Sequence, residues 1–211
     1  EVANENLRTQ GIPESKIFFV GNTMIDTLKA FSDKLIKPEV WKEKELASGK
    51  YFVLTLHRPA NVDDRDKLES ILREIISCAR GYPIVFPVHP RTAKMLDGLG
   101  VSDSNLILTE PLSYLEFNYL VKNAKAVITD SGGITEEATV LHIPCITLRD
   151  TTERPETVTL GTNILAGAGA TSLKGHFETL FADKWKKGTT PPLWDGKASE
   201  RIVQALLEIY H

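Results

Sequence analysis

Short apolar runs alternate with longer amphipathic segments from one end of the chain to the other. The runs of strand length are KIFFV, YFVLTL, PIVFPV, NLIL, AVIT, PCITL and TNIL. Most of them are apolar at consecutive positions, which is typical of strands covered on both faces of a sheet. Their alternation with helices predicts an α/β fold with a doubly wound, mostly parallel sheet and right-handed crossovers.

The clearest helical pattern follows Asp63. Apolar residues recur there at spacings of three and four, as the buried face of one amphipathic helix requires, and Gly81 and Pro83 mark its end. Those apolar residues are Leu68, Ile71, Leu72, Ile75, Ile76 and Ala79. The other segments predicted to be helical are TMIDTLKAFSDKLI, RTAKMLDGL, SYLEFNYLVKN, GITEEATVL and LKGHFETLFA.

The last predicted helix, residues 198–210, is apolar around most of its circumference. One stripe consists of Ile202, Leu206 and Ile209, and a second consists of Val203, Leu207 and Tyr210. A helix of this kind needs partners on two sides. Two interpretations remain open: a well-buried terminal helix, or a helix that spans a seam to a domain absent from this chain.

The composition is that of an ordinary globular protein. Of 211 residues, 42% are hydrophobic and 25% are charged, and the net charge of −3 argues against broad binding to nucleic acid or anionic membranes. No apolar run approaches the roughly 20 residues of a transmembrane helix. The first residue is Glu1 rather than Met, so we expect a processed, trimmed or partial chain. Cys78 and Cys145 are expected to be buried, reduced thiols of a cytoplasmic protein.

Polar and mostly cationic residues directly follow several predicted strands. In chain order they are His57 with Arg58, His89 with Arg91, Asp130 with Ser131, Gly132 and Gly133, and Arg149 with Asp150. In an open α/β sheet, ligands bind beyond the carboxyl ends of the strands. These residues therefore predict a rim that favours anions.

The triplet Ser131-Gly132-Gly133 lies between a strand and a helix. Glycines let a backbone approach a ligand closely, and the free N–H groups at a helix start bind phosphate oxygens. Ser131 can add a hydroxyl donor. The alternative is a tight strand–helix turn in which Ser131 is only the N-cap.

Two glutamates follow the triplet one turn further along the helix. Gly133 and Glu137 are four residues apart and so share a helix face, which places the Glu137 carboxylate to accept the hydroxyls of a ribose. The alternative is that acids in a first helical turn complement the helix dipole. We assign that simpler role to Glu136.

His57 is the strongest candidate for acid–base chemistry or for donation to a phosphate. The alternative is a structural hydrogen bond at a strand end, but the adjacent Arg58 and the parallel pair of His89 and Arg91 favour function. The sequence has no metal-ligand spacing, P-loop or nucleophile elbow. We therefore predict neither a metal nor a cofactor.

The motifs GNTMIDTL, LTLHRPANVD, VHPR, TDSGGITEEA and LRDTTERPE together resemble the non-hydrolysing UDP-N-acetylglucosamine 2-epimerases, in order and over nearly the whole chain. The resemblance implies one half of a glycosyltransferase-B type fold, in which two Rossmann-like domains face each other. Residues 1–28 would form the domain crossover and residues 29–197 the C-terminal UDP-binding domain. Residues 198–211 would form a terminal helix that packs toward a missing N-terminal domain.

The resemblance also implies roles for single residues. The diphosphate would be held by Ser131, Gly132 and Gly133, the ribose by Glu137, and the uracil near Phe117. His57 would be the catalytic residue at the diphosphate, and Arg154 would line the sugar–phosphate side. Arg58 and His89 would also contact UDP. The chain departs from many bacterial members at Pro59 and Ala60, where those carry an Arg-Glu pair that contributes to a regulatory UDP-GlcNAc site.

The family interconverts UDP-GlcNAc and UDP-ManNAc by elimination and re-addition of UDP, and its proton-transfer acids lie in the N-terminal half. The resemblance thus implies a fragment that binds UDP without catalysis and a homodimer for the full-length protein. Two alternatives remain open. The chain could be the donor-site domain of a UDP-sugar glycosyltransferase, or a UDP-sugar-binding module that catalyses nothing.

Overall fold

A six-stranded parallel sheet forms the centre of the protein, with strand order β3-β2-β1-β4-β5-β6. The computed structural model describes residues 1–88, 90–96, 98–167 and 173–210. The strands are β1 (Phe52–Thr55), β2 (Ile84–Pro87), β3 (Leu106–Thr109), β4 (Ala126–Thr129), β5 (Cys145–Thr147) and β6 (Asn163–Leu165). Every neighbouring pair is parallel. The predicted doubly wound sheet is therefore confirmed.

Helices connect the strands and cover both faces of the sheet. Those before β1 are α1 (Val2–Thr9), α2 (Thr23–Ala30) and α3 (Glu39–Glu43). The connections within the sheet hold α4 (Pro59–Val62), α5 (Arg65–Cys78), α6 (Pro90–Leu96), α7 (Tyr114–Asn123), α8 (Gly132–Val140) and α9 (Pro155–Thr159). After β6 come α10 (Leu173–Phe181) and α11 (Ala198–Tyr210). No helix of the described residues is long and apolar enough to cross a membrane.

The strands are apolar at consecutive positions because each face of the sheet has its own core. Side chains alternate between the two faces of a strand. Phe52 and Leu54 of β1 pack in one core with residues of α5 and α10, such as Ile71 and Phe177. Val53, from the same strand, packs in the opposite core with residues of α7 and α8. A polar residue at any of these strand positions would be buried in one core or the other.

Local signals start two of the longer helices. Asp64 caps α5, its side chain accepting a hydrogen bond from the Lys67 N–H at 3.1 Å. Ser113 and Glu116 form a capping box at the start of α7. Each such cap satisfies N–H groups that a helix start leaves without partners. These caps fix where α5 and α7 begin relative to the strands.

The prediction of a strand at KIFFV is wrong. Residues 17–20 belong to no strand, and Phe18 and Phe19 are 44% and 38% exposed. An apolar run becomes a strand only if a sheet edge pairs with it, and β3 and β6 are the edges of this sheet. The predicted helix of residues 23–36 is also too long, because α2 ends at Ala30 and a separate 3-10 turn follows at Ser32–Lys34.

Hydrogen bonds near its first turn attach the terminal helix α11 to the domain. The Asp26 carboxylate of α2 accepts hydrogen bonds from the N–H groups of Ala198 and Ser199, at 3.0 and 2.6 Å. Arg201 donates to the Val20 carbonyl at 3.2 Å. Ala198 is the buried residue of the helix. The large apolar residues of α11 that are exposed are Val203, Leu206, Leu207, Ile209 and Tyr210. The interpretation of α11 as a well-buried helix is therefore wrong.

Candidate functional site

The candidate site lies where the strand order reverses direction. β1 and β4 are neighbours at the centre of the sheet, although they are the first and fourth strands of the chain. A crevice opens at such a switch point beyond the carboxyl ends of the strands, and ligands of doubly wound folds bind there. His57 and Arg58 follow β1, and Asp130 and Ser131 follow β4. The topology thus brings two of the predicted polar turns together.

Asp130 joins these two strand ends. Its side chain is completely buried and accepts hydrogen bonds from the backbone N–H of His57 at 3.1 Å and of Arg58 at 2.9 Å. Asn61 of α4 donates to it at 3.2 Å. The His57 ring places Nδ1 2.8 Å from Asp130 Oδ1, while the imidazole remains 53% exposed. One buried carboxylate therefore fixes the loop after β1 and the orientation of the histidine.

The start of α8 leaves backbone donors available. Ser131 is the N-cap, but its side chain makes no capping hydrogen bond. A Cβ added to Gly132 would lie 3.7 Å from Glu153 Oε2, and one added to Gly133 would lie 3.7 Å from Met24 Cε. These are ordinary contact distances, so packing within the protein does not require glycine here. An approaching ligand remains as the reason for two successive glycines.

Two arginines and a glutamate lie beside this helix start. Arg149 holds the Glu153 carboxylate with two hydrogen bonds of 2.8 and 2.7 Å, and Arg58 lies 3.8 Å from the same carboxylate. The hydrogen bonds from Arg149 are the main cause that lowers the pKa of Glu153 to about 2. Glu153 is therefore a carboxylate anion, next to Gly132, at a place where a phosphate was predicted.

Glu137 lies one helical turn into α8 and is only 4% exposed. The Tyr114 hydroxyl hydrogen-bonds to it, and the Asn118 side chain lies 3.5 Å from its Oε1. Burial raises the pKa of Glu137 in spite of these two donors. Tyr114 and Asn118 belong to α7, so the carboxylate joins α7 to α8. It lies on the side of α8 that faces α7, the helix of Phe117, where the uracil is predicted.

The assignment of Glu136 to the helix dipole is wrong. α8 begins at Gly132, so Glu136 is in its second turn, and its first turn contains no acid. Glu136 is 2% exposed and forms an ion pair with Nε of Arg154. Asn22 donates to the same carboxylate at 2.9 Å. Glu136 therefore positions Arg154, a predicted sugar–phosphate contact, and ties it to the N-cap residue of α2.

Three more of the predicted contact residues are Phe117, His89 and Arg154. Phe117 of α7 is partly buried against the core that contains Val53, so it has a packing role there beside its predicted contact with uracil. His89 lies outside the described residues. Arg154 also lines an open cleft of about 520 Å³ between α1, residues 18–23 and the start of α9. Within the described residues, no group of three or more His, Cys, Asp or Glu side chains is arranged to hold a metal ion.

Asp130 was predicted to lie on the rim but without a function of its own. Asn118 and Asn22 were not predicted as site residues. A carboxylate directly after a buried strand, facing a histidine that follows the neighbouring strand, was the available signal for Asp130. For Asn118 and Asn22 no such signal exists, because their partners are 19 and 114 residues away in the chain.

Comparison with known proteins identifies the family. The profile of the UDP-N-acetylglucosamine 2-epimerase family matches residues 1–207. The chain belongs to this family. A UDP-N-acetylglucosamine 2-epimerase from Methanocaldococcus jannaschii is 42% identical over 98% of the chain. A UDP-2,3-diacetamido-2,3-dideoxy-D-glucuronate 2-epimerase from Pseudomonas aeruginosa is 36% identical over 99% of it.

Solved structures of family members share the fold. The M. jannaschii enzyme in complex with UDP-GlcNAc and UDP superimposes with a TM-score of 0.83 at 41% identity, over 98% of this chain and 59% of that one. The enzyme from Neisseria meningitidis bound to UDP-GlcNAc gives a TM-score of 0.81 at 32% identity, with the same coverage. The chain spans 58% of the length of the M. jannaschii and P. aeruginosa proteins that it matches.

Proposed function

We propose that this chain is the UDP-binding portion of a UDP-N-acetylglucosamine 2-epimerase, whose complete protein interconverts UDP-GlcNAc and UDP-ManNAc. One observation carries the proposal: at the switch point, His57 and Arg58 meet the uncapped, glycine-lined start of α8, one turn before the buried Glu137. The relatives whose structures contain UDP-GlcNAc or UDP support it, because they share this fold over nearly the whole chain.

We propose a contact on this surface for each part of UDP. The N–H groups of Gly132 and Gly133 would take the diphosphate oxygens, since a helix start offers donors and a favourable dipole. Ser131 and Arg58 would add donors beside them. Glu137 would accept the ribose hydroxyls. Phe117 would lie at the uracil, and Arg154 would face the sugar–phosphate side.

In the proposed reaction, a base removes the proton from C2 of the sugar and the C1–O bond breaks, so that its electron pair leaves with UDP. A glycal with a C1–C2 double bond remains. Protonation of C2 on the other face and re-addition of UDP at C1 give the epimer. His57 would assist the charge that develops on the diphosphate. UDP has to stay bound between the two steps, which is the physical reason for many donors around the phosphates.

The proposal divides the work between two parts of the complete protein. This chain would supply the UDP contacts, with residues 1–28 as the crossover, residues 29–197 as the binding domain, and residues 198–211 directed toward the N-terminal domain. That domain would supply the proton-transfer acids. The complete protein would be a cytoplasmic homodimer without a cofactor. Since one relative is named for a different UDP-sugar, the UDP moiety is the part of the substrate that this surface would recognise.

Calorimetric titration of the chain with UDP tests the proposal. We expect weak but specific binding, with ADP as the matched nucleotide that differs only in its base. No heat above background at millimolar UDP, or equal affinity for ADP, would contradict it. The chain alone should not exchange the C2 proton of UDP-GlcNAc in heavy water. Exchange above a buffer blank would show that the chain carries its own proton-transfer groups.

A further inference from the structure

The hydrogen bonds around Asp130 restrict the imidazole of His57 to one arrangement. Asp130 Oδ2 faces the N–H of Arg58 at 2.9 Å and Nδ2 of Asn61 at 3.2 Å, and Oδ1 faces His57 Nδ1 at 2.8 Å. The backbone N–H of His57 lies 3.1 Å from both oxygens. An ionised carboxylate accepts hydrogen bonds and donates none. Nδ1 must therefore carry a hydrogen, and a neutral His57 has its lone pair on Nε2.

We infer that Asp130 is a positioning residue that fixes the tautomer of His57, so that Nε2 donates to a ligand phosphate only after the ring takes up a proton. The second half of this inference rests on the proposed function, which puts the diphosphate at His57. Phosphate oxygens at neutral pH are acceptors, and so is Nε2 of the neutral ring. Binding of the diphosphate at His57 is therefore coupled to protonation of the ring at Nε2.

Among the described residues, a carboxylate and an arginine lie next to His57. Asp130 contacts the ring directly. Arg58 is next in the chain, but it lies 3.8 Å from Glu153, which Arg149 also holds. Arg58 and Arg149 thus share one carboxylate, that of Glu153. The imidazole is half exposed, and because Nδ1 faces Asp130, Nε2 is the ring nitrogen left for a ligand.

Asp130→Asn changes the tautomer with little change in shape. The single amide oxygen is needed at the Oδ2 position, because the backbone N–H groups of His57 and Arg58 and the side-chain NH₂ of Asn61 all reach it and can only donate. The new NH₂ group then faces His57 Nδ1, which must accept. The hydrogen moves to Nε2, so that the neutral ring of the variant can donate to a phosphate without taking up a proton.

Imidazole ¹⁵N–¹H correlation spectra of the ligand-free chain test the first half, with His57→Gln to identify the signals. We expect the Nδ1–H tautomer in the wild type and the Nε2–H tautomer in Asp130→Asn. Asn61→Ser, which removes a different donor to Asp130, should keep the wild-type tautomer. An Nε2–H tautomer in the wild type would overturn the inference even if Asp130→Asn failed to fold. An unchanged tautomer in folded Asp130→Asn would overturn it as well.

Calorimetry of UDP binding in buffers with different ionisation enthalpies tests the second half. At a pH where the same spectra show a neutral ring, we expect uptake of about one proton per UDP beyond the value for His57→Gln, because the ring gains one proton to donate at both nitrogens. Asp130→Asn should lose this excess. Equal proton uptake by the wild type and by Asp130→Asn would overturn the coupling. If UDP does not bind at all, the proposed function fails, but the tautomer still decides the role of Asp130.

Discussion

At the scale of single residues, Glu137 is a carboxylate that the fold holds at a cost in free energy. It is almost completely buried, and burial raises its pKa, whereas the hydrogen bonds from Tyr114 and Asn118 act in the opposite direction. A group whose pKa is raised by folding binds protons more tightly in the folded state. The free energy of unfolding therefore falls as the pH rises above 4.5, the ordinary pKa of a glutamate side chain.

Glu137→Gln should stabilise the chain at neutral pH and weaken UDP binding. The neutral amide avoids the burial cost, and its oxygen can still accept from Tyr114 and Asn118. A gain of about 1 kcal/mol would raise Tm by about 2–4 °C, and the gain should vanish below pH 4.5. UDP affinity should fall about tenfold or more, since hydrogen bonds to a charged group contribute about 1.5–3 kcal/mol. Thermal melts over pH and UDP titrations measure both effects.

Glu136→Gln is the matched control for this prediction. It removes the neighbouring carboxylate, which is equally buried but is paired with Arg154. Loss of that partner should lower Tm rather than raise it.

Pyrophosphate and uracil should bind Glu137→Gln as they bind the wild type, because neither contains a ribose. Equal loss of all three ligands would mean that Glu137 acts on folding and not on the ribose.

The difference between Glu136 and Glu137 shows what a sequence reveals about single residues. The distance of four positions from Gly133 correctly placed Glu137 on a helix face one turn from the glycines. The burial of Glu136 and its ion pair depend on Arg154, which is 18 residues away. The helical repeat predicts which residues share one face of a helix. Their contacts with residues of another element depend on how the two elements pack.

At the scale of elements, the connection from β5 to α9 places the carboxylate of Glu153 beside the start of α8. Glu153 receives two hydrogen bonds from Arg149 and lies close to Gly132. A diphosphate at the start of α8 would compete with this carboxylate for Arg149 and Arg58. The Glu153 carboxylate would thus oppose the binding of a negative ligand there.

Glu153→Gln should therefore strengthen UDP binding. Exposed ion pairs are worth about 0.2–1 kcal/mol, so we expect up to about fivefold higher affinity, measured by calorimetry at fixed ionic strength. Glu156→Gln removes the same charge from α9, just after this connection. Glu156 pairs with the amino group of Glu1 and not with Arg149, so the UDP affinity of this variant should stay close to that of the wild type. Weaker binding by Glu153→Gln would mean that Glu153 holds the arginines in place for the phosphate.

Elements inside the sheet were predicted well from the sequence, whereas peripheral elements were not. The runs that became β1, β2 and β4 are apolar because both of their faces are covered, and burial of this kind leaves a clear pattern. KIFFV has a similar composition, yet Phe18 and Phe19 are exposed and unpaired with any strand. An apolar composition favours a buried strand. Whether the segment forms a strand depends on a sheet edge that pairs with it.

At the scale of the whole molecule, large exposed apolar residues are concentrated near the two chain ends. The first 36 residues contain Val2, Leu7, Ile12, Phe18, Phe19, Met24, Phe31 and Ile36, and α11 contains Val203, Leu206, Leu207, Ile209 and Tyr210. The two regions are connected, because Asp26 and the Val20 carbonyl hold the first turn of α11. Contiguous apolar patches of several hundred Å² seldom stay bare on soluble monomers.

The chain should therefore self-associate weakly through α11. Burial of about 400 Å² of apolar surface contributes on the order of 10 kcal/mol, and the association costs of about 4–15 kcal/mol offset much of this gain. Light scattering over a concentration series should show a rising mean mass for the wild type and a constant mass for Leu207→Glu/Tyr210→Ser. Gln204→Glu adds the same charge at an exposed polar position of α11, so it should behave as the wild type. A wild-type chain that stays monomeric, with α11 amides as protected from hydrogen exchange as those of β1 and β4, would contradict the prediction, since α11 would then need no partner beyond its own domain.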